Sequence, residues 1–232
     1  MQDVLGKKVL ATRGAEGFDT STVISEDIAN QLAKDYDFCV RYVSLGKTRE
    51  SRDLSKTEVE TILNSGLALM IVQHCHYSLS PDAESGNTDG GNAVTHVDAL
   101  GIAKGITVWL DLENIAPDVS HSKIIDYCRS WYHKVKDANY TPGIYIGSNK
   151  SQLTGKELYD LPFHNYWKSS SDHIPIPCPR GFQMIQTKAN ERIEISNSEN
   201  SSKPKSILID KNFIIRDNGS GAGLPWWLVK DD

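Results

Sequence analysis

The stretch Thr107-Val108-Trp109-Leu110-Asp111-Leu112-Glu113 decides how this chain is read. Its first four residues are β-branched or apolar, as in a strand buried on both faces, and it ends on two carboxylates. Side chains alternate along a strand, so Asp111 and Glu113 fall on one face, roughly 7 Å apart along the chain. Helical spacing over Asn92–Lys104, stopped by Gly105, precedes it. A long amphipathic pattern from His121 to Ala138 follows, with Ser120 as the expected cap. A strand between two helices is the unit of a parallel sheet.

The same alternation extends in both directions. Strands are expected at Gly17–Thr20 (GFDT), Phe38–Ser44 (FCVRYVS), Leu67–Cys75 (LALMIVQHC) and Pro142–Ser148 (PGIYIGS). Three more are expected at Asn165–Lys168 (NYWK), Phe182–Thr187 (FQMIQT) and Ile207–Phe213 (ILIDKNF). Helices are expected over Glu26–Lys34 behind Ser25, from the capping box Ser55-Lys56-Thr57-Glu58 to Asn64 with Gly66 as its stop, and over Lys156–Tyr159. Eight strands with helices in the first five intervals imply an α/β fold, a TIM-type (β/α) barrel whose later helices are degraded. An open doubly wound sheet is the rival. The polar run Lys188–Ser206 is either a long surface loop or an added hairpin. One domain spanning residues 1–232 is expected, with its core over about 17–228, since 232 residues suffice for one sizeable core.

Composition narrows the function. Acidic residues outnumber basic ones, 30 to 25, and no dense Lys/Arg run occurs, so a nucleic-acid partner is not expected. No window approaches ~18 uninterrupted apolar residues, so no membrane span is expected. The first twenty residues hold no apolar core of a secretory leader, so the chain is expected to be cytoplasmic, exported by a route that uses no such leader, or carried here without its leader. Neither Gly-rich phosphate loop occurs, and no nucleotide cofactor is expected. Cys39, Cys75, Cys128 and Cys178 are far apart, without a C-x-x-C pair. Cys39 and Cys75 lie in apolar runs and read as buried free thiols, with one or two disulfides as the alternative.

The chemistry concentrates at strand ends. Two carboxylates on one inward face repel one another, and burial further disfavours the charge, so the pKa of one of them should be raised. A protonated carboxyl beside an ionised one is the arrangement that glycoside hydrolysis uses. Solvated loop carboxylates, or an Asp capping the next helix, are the plainer reading. Asp19 ends the first strand and is either a third acid or an Asx-turn. Arg41 interrupts an apolar strand; it should pair with Asp19 or Asp111 beside the site, or belong to a structural ion pair. His74 and His76 flank Cys75 at another strand end. Both imidazoles on one face would make a metal pair for a metal-dependent hydrolase; otherwise they line the cleft. No G-x-S-x-G nucleophile elbow occurs. The tail GLPWWLV is expected to plug the barrel.

GFDTS, FCVRYVS, the DLE strand end, PGIYIGS, NYW, the Gln183-x-x-Gln186 strand and the late Ile209-Asp210-Lys211-Asn212-Phe213 follow one another in one order. This ordered set resembles a glycoside-hydrolase-like family classed as a domain of unknown function. More distantly it is similar to the family 25 glycoside hydrolases, which are lysozymes. The resemblance covers about Gly17 to Leu228. It implies a modified barrel with five full βα units, and bacterial peptidoglycan as substrate. Glu113 would be the general acid. Asp111 would orient the 2-acetamido group or activate water, and Asp19 would assist. Arg41, His74, Tyr145, Trp167, Gln183, Gln186 and Asp210 would bind substrate, with Tyr145 and Trp167 as sugar platforms or else core packing. A non-catalytic cell-wall glycan-binding module is the alternative. A peptidoglycan substrate further implies action outside the producing cytoplasm, as a delivered antibacterial effector or lysis enzyme. A delivery or immunity protein would then be a partner.

Overall fold

The computed structural model describes residues 4–147, 153–196, 205–215 and 223–231. Eight strands close a barrel: β2 (Glu16–Thr20), β3 (Phe38–Val43), β4 (Ala68–Gln73), β5 (Thr107–Leu112), β6 (Thr141–Ile146), β7 (Asn165–Lys168), β8 (Met184–Ile195) and β9 (Lys205–Ile214). Neighbours from β2 through β8 are parallel. β9 runs antiparallel to both β8 and β2 and completes the circle. The rival open sheet is thereby excluded. The expected all-parallel arrangement fails only at β9. There Ile195 of β8 pairs with Lys205 of β9, and the nine residues between them are fewer than the dozen or so that a parallel crossover needs, so the pairing is antiparallel.

Five helices follow the first five barrel strands: α1 (Glu26–Leu32), α2 (Lys56–Ser65), α3 (Ala83–Ala99), α4 (His121–Asp137) and α5 (Gly155–Asp160). This is the expected set of five full βα units. Of the two expectations for Lys188–Ser206, the hairpin holds: β8 extends to Ile195, opposite Lys205 of β9. Residues 197–204 of that segment, and Ser148 of the expected sixth strand, lie outside the described residues.

Strand pleating sorts side chains into two cores. Phe38, Val40, Met70, Val72, Trp109, Trp167, Met184 and Ile214 fill the barrel interior. Cys39, Leu69, Ile71, Val108, Leu110 and Ile144 face the helices. Gly143 is required beside Trp109, because a Cβ there would lie 2.4 Å from the indole. The barrel floor is closed by two further strands, β1 (Lys7–Leu10) and β10 (Trp226–Val229), paired antiparallel. Trp227 of β10 packs against Phe38 with ring centroids 5.7 Å apart, so the tail does plug the barrel.

Two helices differ from expectation. α3 begins at Ala83 rather than Asn92, behind a capping box made by Asp82 and Ser85. Its first half is rich in Gly, Ser and Asn, which reads locally as a loop. Its glycines serve close packing instead: a Cβ on Gly86 would lie 2.3 Å from the Tyr127 carbonyl of α4. At α2, Ser55 accepts from the Glu58 amide as expected, but the Glu58 side chain does not reach back. It bonds the Ile24 amide and Arg41 instead. Among the described residues, no helix is long and apolar enough to cross a membrane.

Candidate active site

The inward faces of the strands converge at the carboxyl ends of the barrel strands. Asp19 of β2 lies opposite Asp210 of β9, and Asp111 of β5 lies beside Tyr145 of β6. Glu113 follows directly after β5. The local reason is alternation: Trp109 points into the barrel core, so Asp111 and Glu113 take the same side nearer the mouth.

Asp19 is 4% exposed. Its carboxylate accepts from Asn212 Nδ2 (2.8 Å), Tyr42 Oη (3.1 Å) and Gln186 Nε2 (3.4 Å). Burial, and then the charge of Asp210, push its pKa up to about 7 in spite of those three donors. Asp210 is itself raised by burial. It accepts from Gln186 Nε2 at 2.8 Å and from the Asn190 amide at 2.6 Å. Gln186 therefore bridges two acids with one amide, and its Oε1 accepts from Tyr145 Oη at 3.4 Å.

Asp111 is 7% exposed, and its Oδ1 is buried without a hydrogen-bond partner. Burial first, then the neighbouring Glu113 charge, hold its carboxyl well above the usual range. Glu113 is less buried and is also raised, chiefly by burial. Cys75 Sγ donates to Glu113 Oε1 at 3.3 Å. Donor atoms of Cys75, Asp111 and Glu113 all lie within 4.8 Å of one another. Gly147 leaves the space that Glu113 occupies, because a Cβ there would be 2.3 Å from the Glu113 Cβ. None of these four carboxylates forms an ion pair with a described Lys or Arg. Burial thus favours the protonated form of each of these carboxyls, and at Asp19 it brings the pKa to about 7.

Four of the expected site residues are placed elsewhere. Arg41 points out of the barrel, fully buried against α2, with Nε 2.7 Å from Glu58 Oε1. It donates also to the carbonyls of Thr20 and Arg52, so it pairs with neither Asp19 nor Asp111 and cannot meet substrate. Its parity with the outward Cys39 and Val43 decides this. Gln183 is fully buried before β8, where it bonds the Tyr166 amide and the Arg180 carbonyl. Trp167 is buried below the acids, against Trp109 and Tyr145, with its indole N–H on Asn212 Oδ1. It is floor, not a sugar platform. His74 stacks on Tyr42 with ring centroids 4.6 Å apart, and its Nε2 is 2.9 Å from Asp53 Oδ1. His76 Nε2 instead lies 2.7 Å from Asp89 Oδ2 of α3. Each imidazole thus serves its own carboxylate, and the pairing that the rival metal-hydrolase reading requires does not assemble.

Three residues at the site are not among those the sequence marks for it: Asn212, which donates to Asp19, together with Tyr42 and Cys75. Tyr42 has the inward parity of Phe38 and Val40, but Arg41 drew the attention. Cys75 was expected as a buried thiol; β4 ends at Gln73, and the turn that follows aims the half-buried sulfur at Glu113. No alternation rule reaches past the end of a strand. All four cysteines are free.

The closed barrel with carboxyls gathered at its mouth agrees with the family that the sequence matches. The chain belongs to the Rv2525c-like, glycoside hydrolase-like domain family, whose model matches residues 29–214. Among solved structures it is similar to the Tat-secreted protein Rv2525c of Mycobacterium tuberculosis in complex with L-tartrate. That match has 16% identity and a TM-score of 0.61, covering 87% of this chain and 96% of that one. It is also similar to the modular autolysin LytC of Streptococcus pneumoniae in complex with a synthetic peptidoglycan ligand (10% identity, TM-score 0.56, 88% of this chain and 47% of that one). A third match is the catalytic domain of endolysin ply40 from bacteriophage P40 of Listeria monocytogenes (13% identity, TM-score 0.54, 88% and 94%). No curated protein matches the chain at a significant level.

Proposed function

We propose that the chain is a single-domain glycoside hydrolase that cleaves the amino-sugar backbone of peptidoglycan, with Glu113 as general acid and Asp111 and Asp19 assisting. The observation that carries this reading is the Asp111–Glu113 pair: two carboxyls raised by burial, side by side at the barrel mouth. Asp111, the more buried, is the better proton holder in the free protein. Its unpartnered Oδ1 is suited to an N–H donor such as a sugar's 2-acetamido group. That bond would stabilise the Asp111 carboxylate, so that the proton Asp111 holds in the free protein passes to Glu113, where it is needed for the glycosidic oxygen. Asp19 is held by Asn212, Tyr42 and Gln186 and sets the local charge. Tyr145, Gln186 and Asp210 line the mouth as substrate contacts, and His74 supports it through Tyr42.

The structural likeness to an autolysin with a peptidoglycan ligand and to an endolysin catalytic domain supports a cell-wall glycan as substrate. The likeness to a Tat-secreted protein supports action outside the cytoplasm. A delivered antibacterial effector or lysis enzyme, with a delivery or immunity protein as partner, is the role proposed for such an activity.

The test is product analysis on purified peptidoglycan, with the wild type beside Glu113→Gln. The expected result is release of fragments with new reducing ends. The mutant should lose this activity by roughly 100-fold or more, the scale of general-acid catalysis, and melt like the wild type. Equal cleavage by the mutant refutes the assignment. Co-sedimentation without release by the wild type establishes the glycan-binding module instead.

A further inference from the structure

We propose that Cys75, Asp111 and Glu113 form a binding site for a thiophilic divalent cation, zinc above all, and that the bound ion shuts off the acid pair. The cation site stands on geometry alone; only its inhibitory consequence rests on the hydrolase reading. One donor atom from each residue lies within 4.8 Å of the other two, and Cys75 Sγ is already 3.3 Å from Glu113 Oε1. Zinc bonds of about 2.3 Å to sulfur and about 2.1 Å to oxygen put tetrahedral ligand atoms about 3.5 Å apart. The three donors therefore need to close by little more than about 1 Å at their widest pair.

Two further observations point to a ligand. Asp111 is 7% exposed, and its buried Oδ1 lacks any partner, a costly arrangement unless something binds there. None of the acids at the mouth forms an ion pair with a described Lys or Arg, so a cation would supply the missing countercharge. The donor set selects the ion. Calcium and magnesium prefer all-oxygen shells of six or more ligands, whereas thiolate with carboxylate suits zinc. On binding, the Cys75 thiol proton and any carboxyl protons leave to solvent, a sulfur–metal bond and two oxygen–metal bonds form, and nothing is oxidised or reduced. The general acid then has no proton to give, and the fourth coordination position is left to water.

The test uses the full chain with cobalt(II) as the spectroscopic probe for zinc. A 1:1 titration with a near-ultraviolet thiolate-to-cobalt charge-transfer band is expected, displaced by zinc. The band should vanish in Cys75→Ala and persist in Cys178→Ser, the other accessible thiol. Affinity should fall at least about tenfold in Glu113→Gln. Circular dichroism melting checks that each variant is folded. Absence of the band in the wild type, or its survival in Cys75→Ala, overturns the site. On peptidoglycan, zinc should suppress cleavage by the wild type and a chelator should restore it, while residual cleavage by Cys75→Ala should be indifferent to zinc. A cobalt band together with a wild type that never cleaves glycan leaves the cation site standing and removes the hydrolase reading.

Discussion

Replacing Arg41 by Met separates a structural arginine from a substrate-binding one. The guanidinium is fully buried between β3 and α2, bonded to Glu58 and to the carbonyls of Thr20 and Arg52. Glu58 is also buried, with its side chain 3% exposed. Methionine keeps most of the volume but strands the Glu58 charge, whose other partner is the Ile24 amide. Breaking one side of a buried pair costs about 3–5 kcal/mol. For a chain of this length each kcal/mol moves Tm by about 2–4 °C, so the expected fall is about 6–20 °C. The double variant Arg41→Met/Glu58→Leu should recover part of this, because no charge is then left alone. It should still lack about 1–3 kcal/mol for the unpaired Ile24 amide. Urea denaturation of the wild type, both single variants and the double variant measures the coupling directly. An unchanged midpoint in Arg41→Met, accompanied by loss of glycan binding, would refute the structural reading and return Arg41 to the site.

Gly147→Ala places a methyl 2.3 Å from the Glu113 Cβ and should push that side chain aside by about 1 Å; glycan cleavage should fall about 100-fold at a stability cost of only about 1–3 kcal/mol, read by kinetics and calorimetry together. Burial and the Asp210 charge push the Asp19 pKa up from its ordinary 3.8 to about 7, so the native state binds the proton more tightly than the unfolded chain. Its contribution is therefore full at low pH and is lost as pH rises from about 4 to about 7, and the Tm of Asp19→Asn minus that of the wild type should grow over that interval. A flat difference across the same pH series would show that Asp19 is an ordinary carboxylate. In α3, Gly86→Ala should destabilise by about 1–3 kcal/mol through its clash with the Tyr127 carbonyl, whereas Gly91→Ala, which meets open space, should stabilise by up to about 1 kcal/mol. Equal effects at the two positions in thermal melts would mean that the helices do not cross where Gly86 places them.

The sequence by itself determined whatever depends on neighbours along the chain. Alternation in TVWLDLE puts Asp111 and Glu113 on one side of β5 without any tertiary information. The helical and apolar periods place eight barrel strands and five helices, and the aromatic tail reads correctly as a plug. Asp19 and Tyr145 near the ends of β2 and β6, Gln186 early in β8 and Asp210 midway along β9 also reach the mouth together with the acid pair. What the sequence could not decide is which parity of a strand faces inward when both faces are buried. In FCVRYV both parities are apolar but for Arg41 and Tyr42, and only closure of the barrel sends Arg41 outward to Glu58 and Tyr42 inward to Asp19. The same holds for His74 and His76, whose shared spacing is undone where β4 ends and Asp53 and Asp89 arrive from distant loop and helix. Cys75 reaches Glu113 through a turn, not through strand period. Periodicity is a local property of the backbone, but the partner that satisfies a buried charge comes from far along the chain, and only the folded barrel brings the two together.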